Sequence, residues 1–307
     1  MKRVVITGVT GHVGGVLGVQ LAEAGSEVHG LTRAKPHVAI LATSCRAVQI
    51  HQIDGQTQTL VSLFEQMRPD VVVHLAAQAR REHLSSDITP FITANILFGT
   101  QLLEATKVVG CRSIITAGSY LQHAEDGRHS PFNLYAATKI AFEGLISYYV
   151  DAFDFCAIIL TLFKVYGERD PHPTLLSQMV DAYADGLPLT LHAGEPSVDL
   201  VHVEDVAAAF VRSIRVIESH RSEGPRWSRY SVSSGRDMTC TELMDVFHAL
   251  GLAKPEIAYR RPGLPARRVR PWRGICVPGW TPRIGIRDGI ARLLARRAAV
   301  ERVMEEV

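Results

Sequence analysis

An α/β fold is what the 307 residues predict, a doubly wound parallel sheet followed by a smaller mixed C-terminal lobe. Three observations predict it. Through the first half, short β-branched runs alternate with longer stretches whose apolar residues recur at helical spacing. The first of these runs leads directly into a glycine-rich turn and then a helical pattern. After about Tyr166 the texture changes, and prolines from Pro171 to Pro282 punctuate shorter elements.

Taken in order, the strands are predicted at Arg3 to Thr7, Glu27 to Leu31, Ala47 to Ile50, Val71 to Leu75, Ser113 to Thr116 and Cys156 to Leu160. Helices are predicted between them at Val13 to Ala24, Thr59 to Gln66, Ile92 to Val108 and Tyr135 to Val150. Val71-Val72-Val73 reads as a continuous apolar run, as a strand covered on both faces does. The boundary between residues 1–165 and 166–307 is expected to be interleaved, because Ser197 to Ala209 and Tyr230 to Ser234 are placed to return to the sheet.

Composition narrows the function classes. With 47% hydrophobic and 21% charged residues the chain can build a core. A net charge of +2 gives no field for wrapping a nucleic acid or holding an anionic membrane, so any bound anion must meet a local cluster. No apolar run approaches the roughly 20 residues that span a bilayer. Met1 to Ile6 is cut short as a leader by Thr7, Gly8 and Thr10, so a cytoplasmic chain is expected. Cys45, Cys111, Cys156, Cys240 and Cys276 form no C-x-x-C pair and are expected to be reduced core thiols. The histidines stand at spacings that suggest no metal site.

The turn after the first strand, Gly8-Val9-Thr10-Gly11-His12-Val13-Gly14, points to a dinucleotide. Its glycines permit a tight turn, let the backbone approach a pyrophosphate, and pack helix against strand. The following helix N-terminus offers unpaired N–H groups to the phosphates. At the end of the second strand, where a carboxylate would bind an adenosine ribose, stand Thr32, Arg33 and Lys35. A guanidinium there suits a ribose 2′-phosphate, so NADP is expected over NAD. Asp54, after the third strand, is placed to receive the adenine amino group or to serve as a turn residue.

Tyr135 and Lys139 stand four residues apart, on one helix face. A free phenol titrates near about 10, and a nearby ammonium stabilises its phenolate, which suits the pair to proton transfer.

The order of these features, with His74-Leu75-Ala76-Ala77 closing a strand, Asn95 in the next helix and a Ser/Thr-rich strand end before Tyr135, resembles the extended short-chain dehydrogenase/reductases, Rossmann-fold enzymes that act on nucleotide sugars. The likeness covers essentially the whole chain. It implies that Leu75, Ala76 and Ala77 line the coenzyme, that Asn95 keeps its helix kinked and supports a proton relay, and that a Ser or Thr holds the substrate carbonyl. Ser119 is the first candidate for that hydroxyl and Thr116 the second. Gly118 and the short interval from Ser119 to Tyr135 depart from the commonest pattern of the family.

Tyr120 and Leu121 occupy the positions where dehydratases of the family carry a carboxylic pair, which argues against dehydration. The segments Gly118 to His123, Pro131 to Glu143 and Gly194 to His202 are similar to the CDP-abequose and CDP-paratose synthase branch. That resemblance implies NADPH-dependent reduction of the 4-keto group of a nucleotide deoxysugar. The enzyme alternative is an NAD-dependent epimerase, and the non-enzyme alternative an NADP-binding sensor or scaffold. It further implies that Gln78, Arg80, His123 and Lys164 contact the sugar, that Arg260, Arg267 or Arg268 grip the substrate pyrophosphate, and that two copies pair through Ile92 to Val108 and Tyr135 to Val150 as a homodimer.

Overall fold

A computed structural model of the chain describes residues 1–33, 48–80, 82–168, 170, 174–192, 197–260 and 271–305. Its backbone forms two compact units. The first comprises Met1–Leu162, Val206–Val232 and Val269–Trp280, the second Phe163–Asp205, Ser233–Arg268 and Thr281–Val307.

The first unit is built on seven parallel strands: β1 (Arg3–Thr7), β2 (Glu27–Thr32), β3 (Val48–Gln52), β4 (Val71–His74), β5 (Ser113–Ser119), β6 (Cys156–Leu162) and β10 (Trp227–Val232). They lie in the order β10-β6-β5-β4-β1-β2-β3, so the chain winds outward from β1 in both directions. Val4, Val5 and Ile6 are all fully buried although neighbours on a strand face opposite ways, so both faces of the sheet are covered. The helices of this unit are α1 (His12–Glu23), α2 (Thr57–Met67), α3 (Ile88–Ile92), α4 (Phe98–Val108), α5 (Leu134–Phe153) and, from Val206 onward, α7 (Val203–Glu223). Leu60 and Phe64 of α2 and Leu102 of α4 pack with Val5, Leu31 and Val72. Phe142 and Ile146 of α5 pack with Leu103, Ile114 and Phe155.

The second unit holds α6 (Leu175–Asp185), α8 (Cys240–Ala249) and α9 (Ile286–Glu305) with two small sheets. One orders as β11 (Asp237–Met238), β9 (Val198–His202), β7 (Lys164–Tyr166), the other pairs β8 (Leu189–His192) with β12 (Ile257–Arg260). Met179, Tyr183, Leu243 and Phe247 form its core.

The α/β class with a central parallel sheet is as the sequence predicts, and the differences have local causes. Ser197 to Ala209 does not return to the main sheet: the free edge of β6 is taken by β10, while β9 pairs with β7 and leads into α7. Strand β5 runs on to Ser119 rather than stopping at Thr116, because Gly118 continues the ladder against Thr161. A 3-10 turn at Ser85–Asp87 leads into the α-helix at Ile88, four residues before the predicted start, and Pro90 sits in its first turn, where its missing N–H has no intrahelical partner to lose. Cys111 and Cys156 are buried thiols, whereas Cys276 is exposed. Among the described residues no helix is long and apolar enough to cross a membrane.

Candidate active site

The glycine turn is set by backbone geometry at two positions. Gly8 lies at φ 72°, and a Cβ there would stand 2.8 Å from the Ala76 nitrogen. At Gly14 a Cβ would stand 2.1 Å from the Gly8 carbonyl oxygen. The Gly11 N–H closes the turn onto that same oxygen (2.9 Å), and no side chain caps the start of α1. Thr10, Gly11, His12 and Val13 therefore wrap the N-terminus of α1, beside Leu75, Ala76 and Ala77 where β4 ends. Thr7 ties the two strand ends together. Its Oγ1 accepts from the Leu75 and Ala76 N–H groups (3.2 and 3.1 Å) and bonds His74 Nδ1 (2.8 Å). Burial first, and the Lys139 charge second, push the His74 imidazole down to about 3, and because Thr7 Oγ1 already accepts twice, its hydroxyl donates to Nδ1 of the neutral ring.

Arg33 directly follows β2, with its carbonyl 3.5 Å from Gln52 Nε2. Lys35 lies outside the described residues. Asp54 is exposed, and its carboxylate accepts from the Gln56 N–H (2.8 Å) and Thr59 Oγ1 (2.9 Å), which hold it below the usual carboxylate range and secure the start of α2.

Asn95 sits in a π turn, Thr93–Leu97, between α3 and α4. Its amide grips the loop after β4: Oδ1 accepts from the Gln78 N–H (2.8 Å) and Nδ2 donates to the Gln78 carbonyl (3.0 Å). Nδ2 also donates to Thr138 Oγ1 (2.9 Å), whose own hydroxyl donates to the Tyr135 carbonyl (2.8 Å). Asn95 thus connects the Gln78 backbone to the helix that carries Tyr135. Arg80 pairs with Asp87 at 3.3 Å.

Helix α5 starts at Asn133, whose side chain accepts from the Ala136 N–H (3.0 Å), and this cap places Tyr135 and Lys139 in the first two turns. Lys139 is buried, with Nζ 5.9 Å from the centre of the Tyr135 ring. The phenol is not lowered: desolvation first, then Tyr120, pushes it up to about 12. Desolvation likewise pushes the Lys139 ammonium down to about 8, against the opposing pull of Glu143.

Ser119 ends β5, buried, with Oγ accepting from the Leu121 N–H at 3.3 Å. Thr116 is spent on the sheet, its hydroxyl donating to the His74 carbonyl (3.2 Å). His123 is buried among Glu143, His129 and Arg229, and burial pushes its imidazole down to about 4, helped by the last two. Potential ligand atoms of His123, His129 and Glu143 lie within 4.8 Å of one another. Lys164 begins β7 in the second unit and is exposed. The Arg260 side chain and all of Arg267 and Arg268 lie outside the described residues.

Sequence reasoning passed over Thr7, Thr138, Gln122, Glu143 and Arg229. Only Glu143 left a signal, as the third member of a Tyr135, Lys139, Glu143 series at four-residue steps. The others meet through contacts between distant segments.

The sequence profile described as the NAD dependent epimerase/dehydratase family matches residues 4–226. The chain is 29% identical to UDP-glucose 4-epimerase of Mycolicibacterium smegmatis, over 94% of this chain and 96% of that protein. It is 24% identical to CDP-abequose synthase of Salmonella muenchen, over 81% and 80%. Among solved structures, Thermus thermophilus UDP-glucose 4-epimerase in complex with NAD superimposes with a TM-score of 0.75 at 28% identity, covering 97% of this chain and 99% of that one.

Proposed function

From the premise that this chain belongs to the NAD dependent epimerase/dehydratase family, we propose that it reduces the 4-keto group of a nucleoside-diphosphate deoxysugar with NADPH. The observation that carries the reading is the Tyr135 and Lys139 pair, a phenol kept protonated one helical turn from a buried ammonium. The glycine turn fits a dinucleotide, since any side chain at Gly8 or Gly14 would fill the space its tight curve needs.

When bound, the coenzyme supplies the hydride for the carbonyl carbon. Tyr135 gives its proton to the carbonyl oxygen, and Lys139 stabilises the phenolate left behind. The Ser119 hydroxyl donates to the same oxygen as charge builds on it. Asn95 holds the Gln78 backbone and the first turn of α5 in one frame. Arg33, with no carboxylate beside it in the sequence, favours a 2′-phosphate and hence NADP.

A second reading, a 4-epimerase that keeps one NAD and uses it in both directions, is favoured by the 29% identity to the Mycolicibacterium enzyme across 94% of the chain. Purified protein separates them. Stoichiometric NAD surviving gel filtration supports the epimerase, while an empty chain that oxidises NADPH with 4-keto-6-deoxy or 3,6-dideoxy sugar nucleotides supports the reductase. In either case Tyr135→Phe should lower kcat by roughly 10²- to 10⁴-fold with little change in coenzyme affinity. A variant with unimpaired turnover would remove Tyr135 from the mechanism.

A further inference from the structure

Resting on the reading of Ser119 as the hydroxyl that faces the carbonyl, we propose that Gln122 and Glu143, clamped by Arg229, are positioning residues that fix Ser119 relative to Tyr135 and Lys139. Gln122 is fully buried. Its Oε1 accepts from the Ser119 N–H (2.6 Å) and its Nε2 donates to Glu143 Oε1 (2.6 Å). The other Glu143 oxygen accepts from Arg229 Nη2 at 2.6 Å, and the guanidinium lies over the rings of Trp227 (4.9 Å) and Trp272 (5.6 Å).

The polarity of this chain of bonds is fixed at both ends. A backbone N–H only donates and an ionised carboxylate only accepts, so one orientation of the Gln122 amide satisfies both neighbours. Arg229 donates a charge-assisted hydrogen bond to the second Glu143 oxygen and so holds the carboxylate in place. Around Ser119 the backbone is wound tightly, with the Gln122 N–H returning to the Ser119 carbonyl (3.0 Å) and the Leu121 N–H to Ser119 Oγ (3.3 Å). Gly118 belongs to the same device. A Cβ there would come within 3.1 Å of Gln122 Oε1, so the glycine leaves the room that the amide occupies.

On the helix side, Tyr135, Lys139 and Glu143 follow one another at four-residue steps along one face of α5. The buried amide therefore bridges the strand end that carries Ser119 and the helix that carries the acid and its cation. Glu143 also opposes the loss of charge that burial imposes on Lys139. A metal ion among His123, His129 and Glu143 is the competing use of this cluster. Both carboxylate oxygens are already engaged, one by a guanidinium whose charge repels a second cation.

The test is Gln122→Leu in the full chain, which cuts the bridge and leaves the Glu143–Arg229 pair in place. Amide hydrogen exchange over residues 117–123 should quicken about tenfold or more. With substrate, kcat should fall roughly 10- to 100-fold while KM for the nicotinamide coenzyme holds. Glu143→Gln adds a second signature, moving the basic limb of the kcat profile at least about half a unit toward lower pH as Lys139 loses its counter-charge. Exchange at the wild-type rate in Gln122→Leu overturns the inference, and so does faster exchange with unchanged kcat. A wild-type chain that turns over no nucleotide sugar refutes the parent reading alone, and the exchange rate then decides the positioning role.

Discussion

Two buried imidazoles set how this protein meets acid. His74 is held near 3 and His123 near 4, both chiefly because burial disfavours the charged ring. In the unfolded chain each titrates near about 6.5. The sign follows from proton counting: below that value the unfolded state binds protons that the folded state refuses, so stability falls as pH falls from about 6.5 toward 4. For each ring the slope approaches about 1.4 kcal/mol per pH unit. Urea unfolding at pH 7 and pH 5 should therefore differ by roughly 2–4 kcal/mol, and His123→Gln should recover about half of that difference. Equal midpoints at the two pH values would mean that these rings can charge within the fold.

At the scale of single elements, the first turn of α5 is the part on which the candidate chemistry leans most. Asn133 caps it through the Ala136 N–H and also donates to the Arg80 carbonyl (3.3 Å). Asn133→Ala should lose about 1 kcal/mol of stability in denaturant melts, and Asn133→Asp, which keeps the accepting oxygen, should retain most of it. Equal losses in the two variants would show that the cap is not the source. The β1, glycine-turn, α1 sequence is legible because local rules govern it: an apolar run, residues free of side-chain clash, then helical spacing. The four-residue step from Tyr135 to Lys139 is legible for the same reason. The π turn at Asn95 is legible only as the kink that the family resemblance implies, because nothing in Thr93 to Leu97 itself distinguishes it from an ordinary helical turn, and what holds Asn95 is Gln78 and Thr138, 17 and 43 residues away. Strand β9 falls in a small sheet rather than the main one, and a short alternating run does not say which sheet edge is open to it. Arg229 meets Glu143 across 86 residues, a contact that no spacing rule reaches.

For the whole molecule, the apolar residues left on the surface of the first unit point to a second copy of the chain. Ile88 and Ile92 are exposed one turn apart on α3, and Leu97 follows five residues later, the step that an i→i+5 turn keeps on the same face. Asn95 is turned inward by that wide turn while Leu97 remains half exposed, so one irregularity serves both the interior and the surface. Tyr148 on α5 is 56% exposed. An apolar stripe of this kind on a protein surface suits a protein contact, and a net charge of only +2 adds little repulsion between copies. A homodimer is therefore expected, joined through the stripe that runs from Ile88 to Leu97 and the exposed side of α5. Sedimentation or light scattering at micromolar concentration should give twice the mass of one chain, and Leu97→Glu combined with Ile92→Glu should halve it while circular dichroism holds. A wild-type chain that stays monomeric as its concentration is raised leaves these side chains without a partner and refutes the pairing.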